Sequence, residues 1–338
     1  RGAKSSCNLR GNSVMDLLQF SVSSLSQPER LDSYVAANQN ITRSRLKQGV
    51  KSIKVNNKDA KLSCKLKGGE IVEIQFEDPV QEDILPENIP LYILYEDDDV
   101  TVINKSQGMV THPGAGNWTG TLVNALLFHW LNNSPKNAEP SENLQTITKN
   151  NNRPGIVHRL DKDTSGVIIT GKTREAEEWL QSKFYKRKVY KEYIAIVKGK
   201  PPRGRGEIKT QIVRDSHNRK KFIATEDKTK GKFAHTDYIC LGVYGEYSLM
   251  KLKLHTGRTH QIRVHLKHIG CPILGDPIYA RKDTNFPDAT LMLHARVLGI
   301  KIPSGEKKFF VAPVPKRFKK ILFSLKQKYK KWEFFNGK

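Results

Sequence analysis

Long apolar runs are missing from this sequence of 338 residues. No stretch approaches the ~20 consecutive apolar residues that a membrane-spanning helix needs. The short run Leu17–Phe20 lacks both the length and the cleavage pattern of a secretory signal. Cysteine is scarce as well. The four present, Cys7, Cys64, Cys240 and Cys271, show no C-x-x-C spacing, which argues against a disulfide framework or a structural zinc site and fits a reducing compartment. Acidic residues are under-represented: 34 Asp and Glu face 58 Lys and Arg, a formal net charge of +24. An excess of that size points to a polyanionic partner, nucleic acid most simply, with ribosome association and a membrane surface sharing the footprint.

What is present divides into segments. Residues 1–27 are rich in Ser and Asn, carry one acid, Asp16, and read as a flexible N-terminal arm. Residue 1 is not Met; Met15 is a plausible natural start, and the acid-free stretch before it also fits the tail of an organellar transit peptide. Residues 28–77 read as a small unit of two helices followed by a hairpin sheet. Leu31, Tyr34 and Val35, then Leu46 and Val50, recur at helical spacing, with Thr42 or Ser44 as candidate cap. Ile53–Val55 leads into an Asn56-Asn57 turn, and Glu70–Ile74 alternates like a strand. Fifty residues hold too little core for an enzyme, but Arg30, Arg43, Arg45, Lys47 and Lys51 cluster on or between the helices, where they can track a phosphate backbone or form a solvated face.

Residues 78–92, with Pro79, Pro86, Pro90 and four acids, read as an extended linker. Beyond it, over 93–314, strand-like runs (Val100–Asn104, Gly166–Thr170, Tyr193–Val197, Tyr238–Leu241, Tyr247–Leu254) are separated by helical segments at Thr119–Leu131, Arg174–Lys186 and Arg258–Ile269. The pattern predicts an α+β fold with a mixed, mainly antiparallel sheet. The Asn-, Ser- and Lys-rich stretch 132–153 looks like a surface insertion. The tail, 315–338, reads as a basic amphipathic helix. It has eight Lys and Arg and no acid between Pro315 and Lys331, while Phe318, Ile321, Leu322, Leu325 and Tyr329 share one face. A helix lying on a membrane surface is the competing reading.

Two clusters carry candidate chemistry. The first, Gly155 to Gly166, crowds His158, Arg159, Asp161, Lys162, Asp163, Thr164 and Ser165 against the apolar strand Val167–Thr170. Polar groups so placed are costly unless paired; on spacing alone they suit a Mg²⁺ site or a loop capped before a strand. The second contains His255, Arg258, His260, Gln261, Arg263, His265 and His268. Only His265 and His268 have a spacing that sets two zinc ligands on one helical face, and Cys271 as a third falls where the helix should have ended. Histidines satisfied by hydrogen bonds are therefore preferred, and no metal is expected. The glycines of His112-Pro-Gly114-Ala-Gly116 suit either a phosphate nest or an ordinary turn.

The run His158-Arg-Leu-Asp-Lys-Asp-Thr-Ser-Gly166 resembles the catalytic motif of RNA pseudouridine synthases of the large-subunit rRNA type, the RluA/RluD branch. Further resemblances follow in order: Tyr95–Lys105 with His112–Gly116, the strand Lys191–Gly199, Thr256–Arg263, Leu274–Tyr279 and Leu293–Ala295. Residues 28–77 resemble the S4 RNA-binding module that precedes many of these enzymes. Together the match runs over about 28–300. Ser106 departs from the family, which often has Pro there, and the insertion at 132–153 is a second departure.

The resemblance implies a cofactor-free isomerisation of uridine to pseudouridine in a flipped-out nucleotide. Asp161 would be the nucleophile, at ribose C1′ or uracil C6. Arg263 would be its positive partner. Tyr193 would be the aromatic platform and a candidate base. Arg159 would fill the vacated stack, His158 would position the loop beside the RNA, and Asp163 and Ser165 would support Asp161. The implied partner is RNA, large-subunit rRNA or a pre-ribosomal particle, bound by a cytoplasmic monomer with no membrane contact. A ribosome-assembly factor that only binds is the competing class. A glycosidase using Asp161 and Asp163 is disfavoured, because carboxylates two residues apart on a strand lie side by side and do not flank a scissile bond.

Overall fold

The computed structural model describes residues 15–39, 41, 43–77, 84–114, 116–133 and 154–329, with residues 15, 16, 44, 45, 48 and 77 described by backbone alone. The chain divides into two compact units, Arg1–Glu82 and Asp83–Lys338.

In the first unit, strand β1 (Met15–Ser21) is followed by β2 (Glu29–Arg30), α1 (Leu31–Asn38), α2 (Arg43–Gly49), β3 (Val50–Val55), β4 (Lys58–Asp59), β5 (Lys65–Leu66) and β6 (Ile71–Glu77). The sheet order is β1-β6-β3-β4. Asn56 and Asn57 both take positive φ, 49° and 62°, as a two-residue hairpin requires and asparagine tolerates. Leu31, Val35, Leu46, Val72 and Ile74 are wholly buried between helices and sheet. The reading of 1–27 as a loose arm is corrected for Met15–Ser21. Met15–Ser21 pairs with β6 from Met15↔Glu77 to Ser21↔Ile71, and Leu18 and Phe20 lean on the core. A strand whose partner lies fifty residues away gives only a weak local signal. Helix α2 begins at Arg43, so Ser44 lies inside it and is not its cap; Thr42 lies outside the described residues.

The second unit contains β7 (Ile93–Glu96), β8 (Val100–Lys105), α3 (Leu122–Asn133), β9 (Ser165–Gly171), α4 (Arg174–Tyr185), β10 (Tyr190–Lys198), β11 (Arg205–Arg214), β12 (Phe222–Thr225), β13 (Lys232–Tyr244), β14 (Tyr247–Leu254), α5 (Gln261–His268), β15 (Leu293–Lys301), β16 (Lys307–Val311) and α6 (Lys316–Lys328). Ten strands form one sheet in the order β12-β11-β13-β14-β10-β15-β9-β8-β7, with β16 on β15. Every pairing in it is antiparallel except that of β9 with β15, a parallel contact of two positions, His294↔Ser165 and Ala295↔Gly166. Gly166, at φ +119°, is obligatory there because a Cβ would collide with the Ala295 backbone.

Helices cover the sheet through apolar stripes. Helix α3 buries Leu122, Val123, Leu126, Leu127 and Trp130, and α4, capped by Thr173 Oγ1 accepting the Ala176 N–H, buries Ala176 and Leu180. The C-terminal helix docks Phe318, Ile321 and Leu325 into the main core, with Leu322 and Tyr329 packed at its margin. Three boundaries differ from the pattern-based ones. Residues Ile84 and Leu91 of the expected linker pack on this core. Asn132 and Asn133 belong to α3, while 134–153 of the expected insertion lie outside the described residues. The tail helix is described as far as Lys328. Among the described residues no helix is long and apolar enough to cross a membrane.

Candidate active site

A cavity of about 570 Å³ opens in the second unit, lined among others by His158, Arg159, Asp161, Tyr193, His260 and Arg263. Residues separated by a hundred positions meet there because β9, β10 and the turn before α5 end around one space.

Asp161 sits on a turn closed by Thr164 N–H donating to its carbonyl at 3.0 Å. The turn is braced from behind by the segment after β8. Thr111 Oγ1 donates to Leu160 O (2.9 Å), Lys105 Nζ to Lys162 O (3.2 Å) and Gln107 Nε2 to Asp163 O (2.9 Å), while Gly108 N–H also reaches Lys162 O (2.9 Å). Lys105 is fully buried and spends its other donors on the carbonyls of Ser106 (3.0 Å) and Met109 (2.8 Å). Burial draws its pKa down to about 7, against the pull of Asp161 and Asp163. Three carbonyls match the three N–H donors of an ammonium, so this lysine holds the loop and does not reach substrate. Ser165, next along, is fixed by His294 Nδ1 (2.9 Å) and by Arg317 Nη2 from α6 (2.7 Å).

Arg263 Nη1 donates to Asp161 Oδ2 at 3.3 Å. The rest of its guanidinium is committed: Nε and Nη2 form a fork on Asp276, both at 2.8 Å. Asp276 has no exposed side-chain surface, and its Oδ1 also accepts the N–H groups of Ile278 (2.9 Å) and Tyr279 (3.1 Å). Burial penalises the arginine charge, yet the two carboxylates more than offset it, and its pKa is raised. A bidentate pair on one side therefore aims a single N–H at Asp161 on the other. Helix α5 starts at Gln261 and not near Arg258, because His260 takes φ 55°. That turn brings His260 Nε2 to 3.8 Å from Asp161 Oδ2 while its Nδ1 bonds the Tyr279 hydroxyl (2.8 Å). Burial lowers the His260 pKa against the pull of Asp161.

Tyr193 lies on β10 opposite Leu252 on one side and Ala295 on the other. The β10–β15 register slips between Glu192 and Tyr193, a bulge of the kind that re-aims a side chain beside a site. Burial, and then Asp161, raise the tyrosine pKa; at rest it is a neutral phenol. Arg159 is exposed at the cavity wall. His158, expected to position the loop beside the RNA, lines the cavity, accepts the Ile169 N–H at Nε2 (3.1 Å) and stacks on Phe184 at 4.5 Å. Burial and Lys191 lower its pKa to about 3, so it is a neutral strut. Asp163 braces the loop through its carbonyl.

In the first unit, Arg30 and Arg43 both grip Asp32, Arg30 Nε at 3.0 Å and Arg43 Nη2 at 2.7 Å, with their side chains about half exposed. Lys47 is exposed on α2; the side chain of Arg45 lies outside the described residues. His265, weighed as a metal ligand, is buried between Thr210 (3.1 Å) and Thr236 (2.9 Å). Gly114 and Asn117 exchange backbone hydrogen bonds, which occupies the Gly114 N–H that a phosphate nest would offer. Sequence reasoning missed Asp276, Lys105, His260 and Arg317 as site-builders. The Gly-Asp-Pro run around Asp276 was the available signal, since a carboxylate between two chain-bending residues is well placed to turn inward.

The chain matches the RNA pseudouridylate synthase family over residues 99–268. It is 44% identical to ribosomal large subunit pseudouridine synthase D of Borreliella burgdorferi, over 86% of this chain and 87% of that protein. It is 37% identical to the RNA pseudouridine synthase YlyB of Bacillus subtilis, over 93% and 99%. Among solved structures, human RNA pseudouridylate synthase domain containing 4 superposes with a TM-score of 0.54 at 26% identity, covering 72% of this chain and 95% of its own.

Proposed function

The chain belongs to the RNA pseudouridine synthase family, and from that premise we propose that it isomerises uridines of large-subunit ribosomal RNA with Asp161 as nucleophile. The observation that carries this reading is the Asp161–Arg263 contact of 3.3 Å in a cavity walled by Arg159 and Tyr193. The reaction breaks the N1–C1′ bond, turns the uracil and joins C5 to C1′ with loss of the C5 proton. No electrons leave the substrate and no phosphate is spent, so no cofactor is called for.

Each residue then has one task. Arg263 holds Asp161 oriented through a charge-assisted hydrogen bond, and remains charged at any working pH. Asp161 attacks the nucleoside at C1′ or C6 once the uridine is flipped out, and Arg159 occupies the gap in the stack. Tyr193 presents its ring to the uracil. Burial and the charge of Asp161 keep the phenol protonated in the free site; while the carboxylate is bonded to substrate that charge is gone, and the phenol ionises more readily. The small unit, 28–77, acts as an S4-type module whose Arg30, Arg43, Arg45 and Lys47 follow the RNA backbone. The protein works as a monomer in the compartment of the cytoplasmic ribosome.

Tritium release from RNA labelled at uridine C5 tests the proposal. Wild-type protein is expected to release label from unmodified large-subunit rRNA and Asp161→Asn is not. Release from tRNA alone would overturn the substrate, and tight binding to rRNA without release would favour an assembly factor.

A further inference from the structure

Strands β11, β13 and β14 carry a second polar cluster, which borders the catalytic cavity through His255 and to which the isomerisation gives no role. In an antiparallel sheet, directly opposed residues share a face. His235 and Asp237, two apart on β13, therefore point the same way. Glu207 on β11 lies opposite Asp237, and His255, just past the end of β14, donates its backbone N–H to His235 O at 3.2 Å. Three neighbouring strands thus deliver two imidazoles and two carboxylates to one patch. Lys209, which pairs with Glu207, and Lys253, opposite Asp237, border it.

The side chains converge closely. His255 Nε2 lies 2.6 Å from Asp237 Oδ2, His235 Nε2 lies 2.9 Å from Asp237 Oδ1, and Glu207 Oε2 is 3.3 Å from His235 Nε2. The two imidazoles stack at 4.0 Å between centroids, 11° from parallel. Although His235 Nε2 and Asp237 Oδ1 are near each other and buried, neither has a hydrogen-bond partner among the described residues. Two buried polar atoms that face each other without the alignment of donor and acceptor are costly as they stand, but they are placed as co-ligands of one ion would be. The ligand atoms of His235, Asp237 and His255 all lie within 4.8 Å of one another. Around a tetrahedral ion with bonds of about 2.0–2.1 Å, donors sit about 3.3 Å apart, so the carboxylate has to draw back slightly and the stacked rings have to rotate out of parallel for their lone pairs to meet one ion.

We propose that His235, Asp237 and His255, with Glu207 beside them, bind one divalent transition-metal ion of the zinc class. Two imidazoles and a carboxylate select such an ion over Mg²⁺ or Ca²⁺, which prefer oxygen alone. Asp237 and His255 are about one-third exposed, which leaves an entry path and room for a water. The ion's effect is positional. His255 begins the turn that leads to Arg263, and Thr256 Oγ1 accepts the His235 N–H at 2.9 Å while donating to Gln261 Oε1 at 2.8 Å. An ion across β13 and β14 therefore clamps the segment that carries Arg263 without entering the reaction.

The test uses the full chain, stripped with a chelator and titrated with Co²⁺ (visible absorption) and with Zn²⁺ (calorimetry and thermal unfolding). One ion per chain is expected, with a Co²⁺ ligand-field band and a Zn²⁺-dependent rise in Tm that Mg²⁺ does not give. Asp237→Asn and His235→Ala should each lose the band and weaken Zn²⁺ at least about tenfold, with circular dichroism confirming that they fold. Should both variants fail to fold, Co²⁺ must still shift the imidazole NMR signals of His235 and His255 in the wild type. The proposal is overturned by the absence of a band and of Zn²⁺ heat, by binding that persists in both variants, or by Co²⁺ shifts confined to other histidines.

Discussion

Both units of this protein are organised around an aspartate held by arginine, and they treat that contact in opposite ways. In the small unit Asp32 is shared by Arg30 and Arg43, whose side chains are 48% and 56% exposed. In the catalytic unit one arginine, 4% exposed, is shared by Asp276 and Asp161. Two exposed cations on one carboxylate leave positive charge free to turn toward a phosphate, at little cost in stability. One buried cation between two carboxylates leaves negative charge fixed at a chosen point, and it cannot be disturbed cheaply. The same pair of side chains serves as an adaptable grip when wet and as a positioning device when dry.

The contrast can be broken at the reaction centre first. Asp161→Asn should lower the single-turnover rate on rRNA by at least about 10⁴-fold with urea stability unchanged, since the Arg263–Asp276 fork survives; a drop of tenfold or less would remove Asp161 from the nucleophile's role. Asp276→Ala removes the fork and leaves a buried guanidinium half-compensated. We expect a loss of about 3–5 kcal/mol in urea unfolding, together with a fall in kcat as Asp161 is drawn into a tighter pair. A change below about 1 kcal/mol would place this pair with the exposed ones.

Acid separates the units next. All ten histidines belong to the catalytic unit and none falls in 15–77. Burial lowers His158 to about 3 and both His265 and His294 to about 4, below the unfolded value near 6.5. Between those limits the unfolded chain binds protons that the folded one refuses. Stability is therefore whole above pH 6.5 and declines as pH falls toward 4. These three should cost the catalytic unit about 4 kcal/mol between pH 7.5 and 5.5. Tryptophan fluorescence in urea reads this directly, because Trp118, Trp130 and Trp179 all lie in that unit; a midpoint that does not move would mean the rings are charged in the fold. The smallest effect on stability is expected from Arg30→Ala with Arg43→Ala, less than about 1 kcal/mol. The same double variant should flatten the slope of log binding constant against log salt by about 1.5, with the activity loss falling on KM. An unaltered slope would leave those arginines to Asp32 alone.

Much of this was legible in the chain. The strands at Val100, Gly166, Tyr193 and Tyr247 announced themselves through alternation or continuous apolar runs, and the Asn56-Asn57 turn through residues that tolerate positive φ. The motif around Asp161, together with its resemblance to a known family, named the neighbourhood of the proposed nucleophile. Contacts between distant segments were not legible. Strand β1 has little local pattern because β6 supplies its pairing, and Lys105 reads as one lysine among many until two carbonyls of its own following turn and that of Lys162, from a distant loop, close around it. His158 illustrates the converse. Its place in a catalytic motif suggested contact with RNA, whereas its ring is spent on the Ile169 N–H and the face of Phe184.

The two-position parallel contact between β9 and β15 has a kinetic implication. Asp161 hangs from the β9 side of that joint, while Tyr193 and Arg263 belong to elements beyond it. Local opening along this two-position strip, of the sort that amide exchange detects, would part Asp161 from Arg263 while both flanks of the sheet stay intact. Arg317, reaching from the last helix to Ser165 Oγ and Leu293 O, rivets the two flanks together at that line. Loss of that rivet would then separate Asp161 from Arg263 without the chain having to unfold.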